Sequence, residues 1–132
     1  MDVVFLIGRS LVSLIMLFMG LNHFLQIKNM IAYAGGRGAP LPAVSVPLTG
    51  LMLVLGAISV ALGAYAFVGL ILWIVFLVLA ALIVHTPKEG DDEGVKITEM
   101  VNFMKNMALA GLALTLLHGA QSPWPLALNL GV

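Results

Sequence analysis

The sequence predicts an all-α integral membrane protein, a bundle of four transmembrane helices, and three observations predict it. Of the 132 residues, 61% are hydrophobic and only 9% charged, against about 25% charged in an ordinary soluble domain. The mean hydropathy is +1.12. The apolar residues also gather into four runs, each close to the roughly 20 residues that a helix needs to cross a hydrocarbon core of about 30 Å. So short a chain has room for a single domain over residues 1–132 and little beyond it.

The first span is expected over about residues 3–22, from Val3 to Asn22. A connection follows from His23 to Pro42. It opens with an amphipathic turn or two carried by Phe24, Ile27, Met30 and Ile31, breaks at Gly35, Gly36 and Gly38, and reads as an interfacial segment. Pro40, Pro42 and Pro47 mark the start of the second span, at about 43–63, with Pro47 placed in its first turn, where a missing N–H leaves no gap in the hydrogen bonding. Only Gly63, Ala64 and Tyr65 separate it from the third span, at about 66–85. So short a link makes the two antiparallel neighbours. The polar connection from Thr86 to Glu99 holds Lys88, Glu89, Asp91, Asp92, Glu93 and Lys96 and reads as a solvated loop, since the ordered oxygen spacing of a calcium loop is missing. The fourth span is expected at about 100–118, and Trp124, between Pro123 and Pro125, reads as an interfacial anchor for the tail.

Arg9, the apolar run to Leu21 and the triplet Ala32, Tyr33, Ala34 loosely imitate a signal peptide. Cleavage is not expected, because the triplet lies about a dozen residues beyond the run. The two long connections must share one side of the membrane. That side carries Lys28, Arg37, Lys88, Lys96 and Lys105, whereas the opposite side has only Arg9. The positive-inside rule therefore places both long connections in the cytoplasm of a prokaryotic plasma membrane.

Formal net charge is zero, so no basic face exists to follow a nucleic-acid backbone. There is no cysteine, which excludes disulfides, thiolate chemistry and cysteine-ligated iron–sulfur clusters. No acid, base or nucleophile constellation stands out, and catalysis by this chain alone is not expected.

A charge at membrane depth costs about 2.5 to 3.5 kcal/mol on insertion scales, so each needs a partner or a purpose. At helical spacing Arg9, Ser13, Met16, Gly20 and His23 share one face of the first span, which should point inward. On the fourth span Glu99, Asn102 and Asn106 run into Ala110 and Ala113, beside a ridge of Gly111, Thr115 and Gly119. Amides and small residues of this kind serve helix packing. The second span repeats the device with Ala57, Ala61, Ser59 and Gly63, whereas the third has only Gly69 and is expected to be the most lipid-exposed.

His23 and His85 end spans one and three at one membrane face, and His118 ends span four at the other. Topology permits bis-histidine haem ligation by the first pair, but a histidine at a span end is ordinarily an interfacial polar residue and haem is not expected. No metal site is expected either, for want of tight ligand spacing. His23, His85, Lys105 and Asn106, with Glu99 at the same face, form the candidate site for a polar headgroup such as that of a quinone. Arg9, Ser13, Asn102 and Thr115 are expected as buried polar residues of structural use.

From Gly8 to Gly119 the chain resembles the DoxX family of small four-helix membrane proteins. The matching segments are Gly8 and Arg9 with Gly20-Leu21-Asn22-His23-Phe24; Leu41 and Pro42 followed by Pro47-Leu48-Thr49-Gly50 and the stretch from Gly56 to Gly63; His85; and Lys105-Asn106-Met107-Ala108-Leu109-Ala110-Gly111. The resemblance implies a membrane subunit tied to redox metabolism, since family members include the membrane part of thiosulfate:quinone oxidoreductases. It also implies association with other membrane or redox-enzyme subunits and admits an oligomer. Many relatives carry a glutamate in span two where this chain has Leu53. Arg9 thus lacks its natural carboxylate, and Ser59, Tyr65, Thr115 or His118 become its expected partners. The reading that follows is an accessory or quinone-binding subunit of a redox complex. Its alternatives are a purely structural scaffold subunit of a larger membrane complex and a carrier of a small apolar molecule.

Overall fold

The computed structural model describes all residues, 1–132. Five helices follow one another: α1, Asp2–Leu25; α2, Ile27–Gly36; α3, Pro42–Leu62; α4, Ala66–Leu79, extended by a π-helical turn over Ala80–Val84; and α5, Glu93–Gly119. Four are long and apolar enough to cross a membrane: α1, α3, α4 with its π turn, and α5. There are no strands.

Around the bundle α1 packs on α3, α3 on α4 and α4 on α5. Glycines set the first two crossings by bringing backbones together. A methyl group on Gly20 would lie 2.9 Å from Leu53 Cβ and 3.0 Å from the Gly50 carbonyl oxygen. Gly56 is covered by the indole of Trp73, whose Nε1 donates to the Leu53 carbonyl at 3.3 Å. In lipid, where helix association depends on close packing rather than on water expulsion, such small-residue crossings hold a bundle together.

The inward face of α1 consists of Arg9, Val12, Ser13, Met16, Gly20 and His23. On α5 the buried residues are Glu99, Asn106, Ala110 and Ala113. Two expectations need correction there. Thr115 is exposed and spends its hydroxyl on the Gly111 carbonyl of its own helix at 3.0 Å, so it is not a buried structural group. Asn102 is half-buried and accepts from Lys105 Nζ at 3.2 Å.

The third span is also the most enclosed rather than the most lipid-exposed. Leu70, Trp73, Leu77 and Ala81 are almost wholly buried, because α4 packs between α3 and α5. Its large side chains belong to the core, and Gly56 on α3 makes room for the Trp73 indole. Pro47 lies inside α3 rather than in its first turn, since the helix already begins at Pro42. The interfacial turn of the first connection is a full helix of ten residues. α5 starts within the polar connection, where the Asp92 carboxylate caps it by accepting from Val95 N at 2.9 Å.

At the end of the bundle where the termini lie, the tail folds back onto the α3–α4 turn. Leu128 N donates to Leu62 O at 2.9 Å, Asn129 N to Gly63 O at 2.9 Å, and Tyr65 N to Leu130 O at 2.7 Å. Asn129 shapes the tail by accepting from Trp124 N at 2.7 Å. Trp124 is buried rather than interfacial: its ring meets Phe5 edge-on at 5.2 Å and its Nε1 donates to Gly119 O at 3.0 Å.

Candidate functional site

The opposite end, beneath the two long connections, holds a cavity of about 450 Å³, within the range of small-molecule sites. Its walls come from all five helices. Met19 and His23 belong to α1, Met30, Tyr33 and Ala34 to α2, and Asn106 and Lys105 to α5. Between α3 and α4 it is bounded by Leu48, Met52, Val75 and Leu79. Leu48 and Leu79 are each about half exposed on the outer surface, so this side gives onto lipid.

Local structure aims the polar groups. The π turn is closed by His85 N donating to Ala80 O at 3.0 Å, one residue further back than in an α-helix. The inserted residue re-aims the side chains that follow, a common use of π turns at functional sites. His85 thereby meets Glu99 across the gap, with Nδ1 2.8 Å from Oε2. Tyr33, on α2, donates its hydroxyl to the other carboxylate oxygen of Glu99 at 2.6 Å. Burial and the adjacent Glu99 carboxylate hold the Tyr33 phenol well above its usual range, which keeps it an O–H donor.

A second network ties the two long connections together. Arg37 donates to both oxygens of Asp91, at 2.9 and 3.0 Å, and to the carbonyls of Val84 at 3.0 Å and Thr86 at 2.8 Å. The Lys88 ammonium donates to the Arg37 carbonyl. The Lys88 backbone N–H and the Arg37 guanidinium hold the Asp91 carboxyl below the ordinary carboxylate range. Asp91 and Asp92, read from sequence as loop acids, thus have separate tasks: one clamps the connections and the other caps α5.

All four residues of the predicted headgroup site, His23, His85, Lys105 and Asn106, line this one cavity. Asn106 is almost wholly buried, and its Oδ1 has no hydrogen-bond partner. His23 is fixed by Nδ1, which lies 2.8 Å from the Met19 carbonyl, and its ring meets Phe76 edge-on at 5.7 Å. Sequence reasoning missed Tyr33, Arg37 and the Asp91 clamp. The signal for Tyr33 was the helical spacing of Ile27, Met30 and Ala34, which carries α2 past the residues assigned to it.

Arg9 is placed apart, at the end closed by the tail. It does not pair with Ser59, Tyr65, Thr115 or His118. Its guanidinium donates to Pro125 O at 3.3 Å and to Leu126 O, and lies 5.9 Å from the ring centres of Phe5 and Trp124. Backbone carbonyls and aromatic faces replace the absent carboxylate. Ser59 caps the end of α3 instead, donating to Ala64 O at 2.7 Å or Tyr65 O at 2.8 Å. Arg9 Nε and Ser13 Oγ stay buried without partners.

Comparison with known proteins agrees with this architecture. Residues 4–86 match the DoxX family, over more than half of the chain. The chain is also 31% identical over 116 residues to the inner membrane protein YphA of Escherichia coli strain K12, covering 86% of this chain and 81% of that one. No solved structure matches.

Proposed function

The chain belongs to the DoxX family, and from that premise we propose that it is a membrane subunit of a redox complex that holds a quinone in the cavity beneath its long connections. One observation carries the reading: His23, His85 and the unpartnered Asn106 converge, with Lys105, on an otherwise apolar cavity bounded on one side by lipid-facing residues of α3 and α4. A hydrophobic tail can lie between Leu48 and Leu79 while a polar ring reaches the histidines. Thiols and iron–sulfur clusters being excluded by composition, electrons would pass between the quinone and a partner subunit. The excess of cations in the long connections supports a cytoplasmic position for them in a prokaryotic plasma membrane.

Purification in gentle detergent, followed by mass spectrometry of extracted lipids and co-purifying proteins, tests this. A quinone near one per chain, lost when Thr49→Phe fills the cavity, is expected. Absence of both quinone and any redox enzyme overturns the reading.

A second reading, a scaffold subunit, is favoured by α5. A methyl group added to Gly111 would meet nothing within 4 Å, so the ridge it forms with Thr115 is free to receive a helix of a larger complex. Carriage of a small apolar molecule would use the same cavity but would not need its polar groups.

A further inference from the structure

We infer that the cavity selects a headgroup that donates hydrogen bonds, such as a hydroquinone, over the corresponding carbonyl form, because His85 and His23 each offer it a bare Nε2. The inference rests on the proposed quinone site and deepens it by naming the form that is held.

A neutral imidazole carries one N–H, and the partner of one nitrogen decides what the other can do. At His23 the partner of Nδ1 is the Met19 carbonyl, which can only accept. The hydrogen is therefore on Nδ1, and Nε2 is a lone pair. At His85 the partner is a carboxylate oxygen of Glu99 at 2.8 Å, with the same consequence. Glu99 does not line the cavity and His85 does, so Nε2 is the ring nitrogen left for a ligand. Tyr33 stiffens the arrangement by donating to the other oxygen of Glu99.

The remaining polar groups do not reverse this balance. The Lys105 ammonium is turned to Asn102, outside the lining, and the Thr49 hydroxyl donates to the carbonyls of Ser45 and Val46. Asn106 is the one counterweight: its Oδ1 is buried out of reach, so its amide offers the cavity a single donor against the two bare imidazole nitrogens. A ring carbonyl would place lone pair against lone pair at both histidines, whereas a ring hydroxyl satisfies them. Glu99 and Tyr33 act through His85 and are positioning residues.

The test uses the whole purified protein at pH 8, above the ordinary imidazole range, without oxygen. A decyl-substituted benzoquinone, its hydroquinone and the dimethyl ether of the hydroquinone are compared by the rise in melting temperature each produces, which mass action converts to relative affinity. The hydroquinone should bind about tenfold tighter than the other two, the value of one net hydrogen bond. In Glu99→Gln the Tyr33 hydroxyl holds the amide oxygen, so the amide N–H₂ faces His85 Nδ1. The tautomer then reverses, and the preference should fall to about unity or invert. Equal binding of hydroquinone and quinone by the unaltered protein, or an unchanged ratio in Glu99→Gln, overturns the inference while leaving the quinone site standing. If no form binds, the quinone site falls and the inference with it. A nitrogen-15 spectrum of the histidines in the unaltered protein gives an independent reading: Nε2–H on His85 or His23 contradicts the assignment even if the variant does not fold.

Discussion

Each end of the bundle buries a charged side chain, and the two ends treat it in opposite ways. At the terminal end Arg9 is enclosed by the chain itself, between the carbonyls of Pro125 and Leu126 and the rings of Phe5 and Trp124. At the connection end Glu99 is held by Tyr33 and His85, but a cavity is left beside them. A buried charge in a membrane span is thus not by itself a sign of function. What separates the two is whether the protein has filled the space next to it.

The largest effect that would break this contrast is expected from Arg9→Met. Two part-buried carbonyls lose a charged donor and the rings of Phe5 and Trp124 lose the cation beside them, which should lower stability by about 3 kcal/mol. The tail should become sensitive to protease while ligand binding at the other end is unchanged; loss of binding in a folded Arg9→Met protein would show that the ends are coupled. Gly63→Ala attacks the same end more gently. Gly63 has a φ of +61°, and an added methyl group would strike Ala127 in the docked tail. A loss of about 2 kcal/mol in denaturant titration is expected from backbone strain and displacement of the tail.

Tyr33→Phe works at the open end. It removes the hydroxyl that donates to Glu99, and since the Tyr33 ring is partly exposed the loss of stability should be only about 1 kcal/mol. The protease resistance of the tail should not change, which sharpens the contrast. The smallest effect concerns pH. Asp91 has a folded pKa below its unfolded value. Its contribution is therefore complete above about pH 4, the ordinary aspartate range, and is lost as pH falls through the folded value. Asp91→Asn should therefore remove this contribution near neutrality and flatten the acid limb of a stability–pH curve, so that variant and unaltered protein converge as pH falls.

Much of this was legible in the sequence, and for a physical reason. Hydrocarbon imposes length and apolarity on each crossing, so the four spans were set to within a few residues, apart from the start of α5 inside the polar connection. The inward face of α1 followed from helical spacing through Arg9, Ser13 and His23. The burial of α4 was not legible because few small residues suggest lipid exposure, whereas the Trp73 indole fills the space left by Gly56 on α3. The candidate site was legible only where span ends fixed the depth of a residue, as for His23, His85, Lys105 and Asn106. Tyr33 and Arg37 lie in a connection whose fold is set by contacts far along the chain. The partner of Arg9 was hidden for the same reason, since carbonyls of the tail have no signature in side-chain chemistry. The π turn that aims His85 has no local signal either.

The latch between Arg9 and the tail has a consequence for biogenesis. Arg9 enters the membrane with the first segment made, yet its acceptors at Pro125 and Leu126 lie 116 and 117 residues later. Throughout synthesis of the intervening helices the guanidinium must stay near the headgroups or lean on a transient partner. Closure of the terminal end is therefore among the last events of assembly: until α3 and α4 have packed against each other the tail has no α3–α4 turn to dock on, and the Arg9 guanidinium has no carbonyls to meet.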